Sequence, residues 1–184
     1  MRKESVKSLI LLFFTFFSIG LTHFSCKDTS DIVETKDGIY QLSSITDTLH
    51  YLQIKTDSTF DQWELPYPIY QFQVGDIDNN GIQDLMVGVI KTTRFDRLFS
   101  KRLFIFQNYQ GCVRPLWLGS RLSNPLIDFK FVNVHEGARI WSVELDKDDT
   151  YQVVEYKWHS FGLDYTKHIK KEIPLKEAYK FLNR

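Results

Sequence analysis

Apolar residues along much of this chain recur at every second position, which is the period of β-strands. Each such set predicts a strand with one buried face and one face in solvent. Three sets show the alternation: Tyr70, Phe72 and Val74 with Gln71 and Gln73; Trp141, Val143 and Leu145 with Ser142 and Glu144; Val154, Tyr156 and Trp158 with Glu155 and Lys157. The pattern therefore favours sheets over helices.

Other apolar-rich runs, at residues 85–90, 103–106 and 127–134, are short and lack clean alternation, which is typical of more fully buried strands. Turn residues at 108–111 and 146–149 lie between strand candidates and indicate antiparallel hairpins. Only the carboxyl end has helical spacing. After Pro174, one helical stripe holds Leu175, Ala178, Tyr179 and Leu182. We expect one mainly β domain over residues 37–184, with antiparallel strands and a short C-terminal helix.

The amino terminus has the pattern of a secretory signal. Three basic residues, Arg2, Lys3 and Lys7, precede an uncharged apolar run from Leu9 to Leu21. A membrane-spanning helix needs about 20 apolar residues, and Thr22, His23 and Ser25 interrupt the end of this run. Two alternatives stay open: residues 1–25 are a cleaved signal peptide, or they are a retained anchor helix.

Cys26 follows the apolar run directly and is preceded by the small residue Ser25. Residues 23–26 resemble a relaxed lipobox, in which the cysteine accepts diacylglycerol after cleavage; His23 stands where leucine is usual. Lys27 and Asp28 resemble the surface-export signal of some Gram-negative lipoproteins, with Thr29 in place of a second acid. The resemblance implies an outer-membrane lipoprotein of the bacterial cell envelope, lipidated at Cys26 and exposed at the surface. Polar residues 26–36 would form a flexible tether. The alternative is that Cys26 is an ordinary apolar residue of an anchor helix.

Charge is segregated along the chain, although 23 basic and 23 acidic residues cancel overall. This balance gives no indication of nucleic-acid binding. Acids dominate residues 26–90, whereas residues 91–121 carry seven basic residues against Asp96 alone. The basic stretch predicts an anion site, or it pairs internally with the acidic half. The candidate anion-binding residues are Arg94, Arg97, Lys101 and Arg102.

The most specific local pattern is an acidic loop between two strand candidates. Counting from Asp76, oxygen-bearing side chains occupy positions one, three, five and nine, and Gly81 occupies position six. This spacing is typical of loops that wrap a calcium ion. The predicted ligands are Asp76, Asp78, Asn80, the Ile82 carbonyl and Asp84. The alternative is a metal-free turn, since Asp, Asn and Gly are ordinary turn residues.

Residues 74–88, which contain this loop, resemble an FG-GAP or VCBS repeat, the calcium-binding blade motif of integrin-type β-propellers. The resemblance implies propeller-blade-like hairpins and calcium held by the loop. Val87 stands where an EF-hand has its final glutamate, and the flanks are strands. A closed propeller has at least about four blades, whereas this chain shows a single copy of the motif.

No catalytic constellation is visible in the sequence. Residues 119–121, Gly-Ser-Arg, lack the second glycine of a nucleophile elbow, and the histidines lack metal-ligand spacing. We therefore expect a lipid-anchored binding or structural module stabilised by calcium, with an envelope protein or an anionic glycan as partner. The alternative is a surface glycan hydrolase that uses paired carboxylates.

Overall fold

Three four-stranded antiparallel sheets and a short helix make up the computed structural model, which describes residues 30–119 and 121–183. The first sheet contains β1 (Ser30–Thr35), β2 (Gly38–Thr46), β3 (Leu49–Lys55) and β4 (Phe60–Leu65). The middle sheet contains β5 (Ile69–Gly75), β6 (Asp84–Lys91), β7 (Ser100–Tyr109) and β8 (Cys112–Leu118). The third sheet contains β9 (Leu126–Val134), β10 (Gly137–Leu145), β11 (Tyr151–His159) and β12 (Gly162–Ile173), followed by α1 (Leu175–Leu182). The predicted mainly β fold and the C-terminal helix are confirmed.

Each sheet is a meander, because its four strands are neighbours in chain order. The hairpins predicted at residues 108–111 and 146–149 join β7 to β8 and β10 to β11. The sheets are blade-like, and there are three of them among the described residues, although the sequence showed one blade motif.

The predicted tether needs a correction. Residues 30–35 belong to the segment for which we expected a flexible tether, and they form β1 instead. β1 pairs with β2 along its whole length, from Ser30 opposite Ser43 to Thr35 opposite Gly38. β1 is an edge strand, in which even Ile32 is 54% exposed, so a polar composition suits this position. The rest of the predicted tether lies almost entirely outside the described residues.

The middle sheet is buried on both faces. In β6, the consecutive residues Leu85 and Met86 are both fully buried, and they point to opposite sides. Leu85 packs in the core between the first and middle sheets, and Met86 packs in the core between the middle and third sheets. The apolar-rich runs at 85–90 and 103–106 are thus confirmed as more fully buried strands. Residues 127–134 are not such a strand, because β9 is an edge strand in which only Leu126 and Phe129 are buried.

A β-bulge changes the faces that the sequence predicted for β5. The register shifts between Ile69 and Gln71, so Tyr70 packs toward the third sheet while Phe72 packs toward the first. Gln71 and Gln73, predicted to face solvent, instead donate side-chain hydrogen bonds to the Phe129 carbonyl at 2.9 and 3.2 Å. The two glutamines therefore connect the middle sheet to the third.

The predicted faces of β10 are also wrong. Ser142 and Glu144 are fully buried rather than exposed. The Glu144 carboxylate accepts hydrogen bonds from the hydroxyls of Ser142 and Tyr156, both at 2.7 Å, and from the Asn124 backbone amide at 2.8 Å. Because these donors replace water, the carboxylate is tolerated inside. Glu144 thereby pins the segment that leads from the middle sheet into the third.

The two outer faces of the stack are covered differently. The outer face of the first sheet is polar, with hydrogen bonds from Ser43 to Gln53 and from Gln53 to Gln62. The outer face of the third sheet is apolar, and α1 covers it by burying Ala178 and Leu182 against Val143 and Val153. Within the described residues, no helix is long and apolar enough to cross a membrane.

Two-sided burial of β6 makes a testable prediction. Leu85→Ala and Met86→Ala should each lower the free energy of unfolding by about 2 to 5 kcal/mol, because each leaves a cavity in a different core. Lys157→Ala, at an exposed position of β11, is the control and should change it by less than about 0.5 kcal/mol. Urea unfolding of the three variants and the parent measures this. A negligible effect of either core substitution would contradict burial on that side.

Candidate metal site

The acidic loop joins β5 to β6 and brings three carboxylates together. One oxygen from each of Asp76, Asp78 and Asp84 lies within 4.8 Å of the other two. Calcium binds oxygen at about 2.3 to 2.6 Å, so oxygens on opposite sides of one ion stand about 5 Å apart. The cluster therefore has the dimensions of a site for a hard cation.

Hydrogen bonds within the loop fix its shape. The Asp76 carboxylate accepts the backbone amides of Asn80 at 2.9 Å and Gly81 at 2.8 Å. Asp78 accepts the Asn80 amide at 3.1 Å, and the Asn80 side-chain oxygen accepts the Ile82 amide at 2.7 Å. Gly81 has a φ of +87°, which glycine adopts without strain. The loop thus combines Asx-type turns with converging carboxylates. The alternative of a metal-free turn accounts for the backbone conformation, but it does not account for three carboxylates in one place.

Asp84 is the unusual member of the cluster, because its side chain is only 1% exposed. Its Oδ2 accepts the Ile77 backbone amide at 3.0 Å, whereas its buried Oδ1 has no hydrogen-bond partner among the described residues. Burial, together with the nearby charges of Asp78 and Asp76, raises the pKa of Asp84 to about 7. Burial and the Asp76 charge also raise the pKa of Asp78. A bound cation would compensate both the burial of these carboxylates and the repulsion between them.

The loop is tied into the protein by two residues that the sequence analysis did not single out. Ile77, between two of the aspartates, is fully buried in the core between the middle and third sheets. Asn79 accepts the Ala138 backbone amide of β10 through its side-chain oxygen at 3.3 Å. The available signal for Ile77 was its position as an apolar residue between two aspartates. The cluster is therefore coupled to the contact between two sheets.

Three of the five predicted calcium ligands are brought together by the structure. They are Asp76, Asp78 and Asp84. Asn80 and Ile82 take part in the hydrogen bonds that shape the loop, and the side chain of Ile82 is 39% exposed. Their role as ligands stays a prediction.

The predicted anion site is not a single site. Arg102 is 3% exposed, and its guanidinium pairs with Asp96 at 2.8 Å and donates to the Leu98 carbonyl at 2.8 Å. Lys101 donates to the Ile127 carbonyl at 2.8 Å and lies over the Tyr70 ring. Both side chains therefore hold the fold together. Arg94 and Arg97 lie exposed in the 92–99 loop between β6 and β7.

Internal pairing explains part of the charge segregation. Arg114 pairs with Asp61 of the first sheet at 2.9 Å, as the alternative interpretation expected for the basic and acidic stretches. Arg102 pairs locally with Asp96 instead of with the acidic half. The predicted signal peptide, residues 1–25, and the predicted lipidation site, Cys26, lie outside the described residues.

The raised pKa of Asp84 predicts how the stability of the metal-free protein depends on pH. Between the unfolded value near 3.8 and the folded value of about 7, the folded state binds more protons, so the stability from this group falls as pH rises. The slope is at most about 1.4 kcal/mol per pH unit and ends above pH 7. Asp84→Asn removes this contribution.

In chelator, Asp84→Asn should therefore be more stable than the parent at pH 8, and the difference should shrink as pH falls toward 4. Melting both proteins across that range measures it. A difference that does not vary with pH would contradict the raised pKa of Asp84.

Comparisons of this chain with protein families, with curated proteins and with solved structures find no match.

Proposed function

We propose that this protein is a lipid-anchored module of the bacterial cell envelope, with a binding or structural role, that is stabilised by calcium. The observation that carries the calcium part is the buried Asp84 carboxylate. Among the described residues its Oδ1 has no hydrogen-bond partner, and the carboxylate lies in a cluster with those of Asp76 and Asp78. A buried, unpaired anion costs several kcal/mol unless a cation compensates it, so a calcium ion held by the three carboxylates would offset that cost.

In this proposal calcium acts on the joint between two sheets. Asp76, Asp78 and Asp84 supply carboxylate oxygens, and Asn80 and the Ile82 carbonyl complete the ligand set. The same loop inserts Ile77 into the core between the middle and third sheets and contacts β10 through Asn79. Holding the loop in one shape therefore favours the packed arrangement of both sheets.

The cellular location in this proposal comes from the amino-terminal sequence. The basic start, the apolar run and the small residue before Cys26 support export and lipidation. Calcium modules outside the cytoplasm bind with dissociation constants of about 10⁻⁴ to 10⁻³ M. A loop with a few carboxylates and a partly exposed rim suits that range, and calcium outside cells is abundant enough to fill it.

Thermal melting in calcium, in magnesium and in chelator tests the metal site. Millimolar calcium should raise the stability of the parent by about 1 to 2 kcal/mol, which is a rise of roughly 2 to 8 °C in Tm for a domain of this size. Magnesium should have less effect, because it requires shorter distances and a stricter octahedron.

Asp78→Asn should abolish the calcium response, since it removes one charge from the cluster. Asp57→Asn, at an exposed acid of the turn between β3 and β4, is the matched control and should respond as the parent does. Equal melting of the parent in calcium and chelator would remove calcium from the proposal. An unchanged response of Asp78→Asn would place calcium elsewhere.

The intact mass of the protein purified from its native membranes tests the anchor. We expect a chain that begins at Cys26 and carries the added mass of a diacylglycerol group, with or without an acyl chain on the new amino terminus. Cys26→Ser should block this processing, whereas Cys112→Ser, the control at the other cysteine, should leave it intact. An unmodified chain that retains residues 1–25 in the parent would contradict the lipid anchor.

A further inference from the structure

The 92–99 loop carries three large apolar side chains that stand in solvent. Phe95 is 83% exposed, Leu98 is 60% exposed and Phe99 is 65% exposed. They lie within five consecutive residues, which we call the apolar tip. Clustered exposure of this kind marks an interaction surface more often than scattered single residues do.

The loop is held in shape by the buried residue Arg102. Its guanidinium binds the Asp96 carboxylate and the carbonyls of Leu98 and Lys91, at 2.8, 2.8 and 3.3 Å. A turn is closed by the Thr93 amide, which donates to the Asp96 carbonyl at 2.8 Å. The apolar side chains are therefore presented by a fixed scaffold, so little order is lost when they bind.

The charge around the apolar tip is positive. Arg94 and Arg97 are exposed, and among the described residues neither takes part in an ion pair. The only acid of the loop, Asp96, is neutralised by Arg102. Arg121 is also exposed and lies close enough for its charge to help lower the pKa of Asp96, behind the larger effect of the Arg102 hydrogen bond. The surface is therefore complementary to an anion.

The opposite end of the middle sheet offers a natural comparison. Phe60 is 61% exposed there, close to the turn between β7 and β8, which Thr59 contacts through the Gly111 carbonyl. The arginine at that end, Arg114, is paired with Asp61. An exposed phenylalanine is thus present at both ends. At the 92–99 loop the neighbouring Arg94 and Arg97 form no ion pair among the described residues, and the Arg94 guanidinium lies 5.7 Å from the centroid of the Phe95 ring.

We propose that the 92–99 loop binds an anionic phospholipid membrane, with Phe95, Leu98 and Phe99 inserted among the acyl chains and Arg94 and Arg97 on the headgroup phosphates. The acyl region accepts separate protruding side chains without a shaped pocket, and arginine reaches from apolar surroundings back to phosphate. This inference deepens the proposed binding role by naming the ligand of the loop. Binding would orient the domain so that the end of the middle sheet that carries the 92–99 loop faces the bilayer.

An environment-sensitive fluorophore tests the contact in the full chain. It is attached through Leu98→Cys, in a background of Cys26→Ser and Cys112→Ser, and the protein is mixed with phosphatidylcholine vesicles with or without phosphatidylglycerol. We expect a blue shift and quenching by nitroxide-labelled lipid when phosphatidylglycerol is present, both weakened by salt. The same label at Phe60→Cys should show neither, even if the amino terminus holds the chain to the vesicle.

Arg94→Gln and Arg97→Gln should each lower the partition constant, obtained by titrating the shift with phosphatidylglycerol vesicles, about fivefold, since one basic residue near an anionic surface contributes about that factor. Arg114→Gln is the matched control and should leave insertion unchanged. Equal signals from the labels at positions 98 and 60, or no shift with any vesicle, would overturn the proposal. So would a shift produced by lipid-free envelope proteins alone, because it would assign the loop to a protein partner. The experiment is repeated in chelator, so failure of the calcium site would appear in melting and leave this result standing.

Discussion

The structure depends on the burial of the middle sheet on both faces. β6 and β7 carry apolar side chains on consecutive positions, so neither face can be left in water. Covering both requires a sheet on each side, which sets the order of the three layers. The stack ends on one side at the first sheet, whose outer face is polar and can face water. It ends on the other side at the third sheet, whose apolar outer face is covered by α1. Within the part of the chain that the structure describes, the three blade-like sheets therefore form a row of layers with a shared core between each pair of neighbours.

The acidic loop lies where two of these layers meet, and its electrostatics oppose its packing. Ile77 draws the loop inward because its burial is favourable, and this brings the carboxylates of Asp76, Asp78 and Asp84 together. The burial of Asp84 and the proximity of the other two carboxylates disfavour its ionisation and raise its pKa. Protonation of Asp84 would remove the repulsion between the carboxylates. A bound cation would also remove it, and would leave the three carboxylates ionised near neutral pH. A metal at this point would stabilise the contact between sheets rather than the loop alone.

The sequence predicted those features that depend on local pattern. The buried strands β6 and β7, the hairpins at residues 108–111 and 146–149, α1 and the aspartate cluster all follow from periodicity or from spacing within a few residues. It did not predict β1, whose polar composition suits an exposed edge strand as well as a tether. Nor did it predict three sheets, because the three occupy different surroundings and therefore share topology without sharing a repeated sequence. In β5 a bulge moves Tyr70 to the face opposite Phe72, and Gln71 and Gln73 were assigned to solvent because local alternation does not show that the third sheet covers their face.

The remaining errors concern buried or partly buried polar residues whose partners lie outside their own strand. Glu144, Gln73 and Arg102 are residue types that usually lie at the surface. Each forms a hydrogen bond with a backbone amide or carbonyl of another segment. Glu144 binds the connection before β9, Gln73 binds β9 and Arg102 binds the 92–99 loop. Periodicity assigns a polar residue to solvent because it cannot see the donor or acceptor that will replace water. Segregated charge was therefore an ambiguous signal, because it did not distinguish arginines that bind within the fold from arginines that face solvent. Arg102 fixes the shape of its loop through Asp96 and the Leu98 carbonyl. In that shape Arg94 and Arg97 are exposed, so their charges are available to a partner.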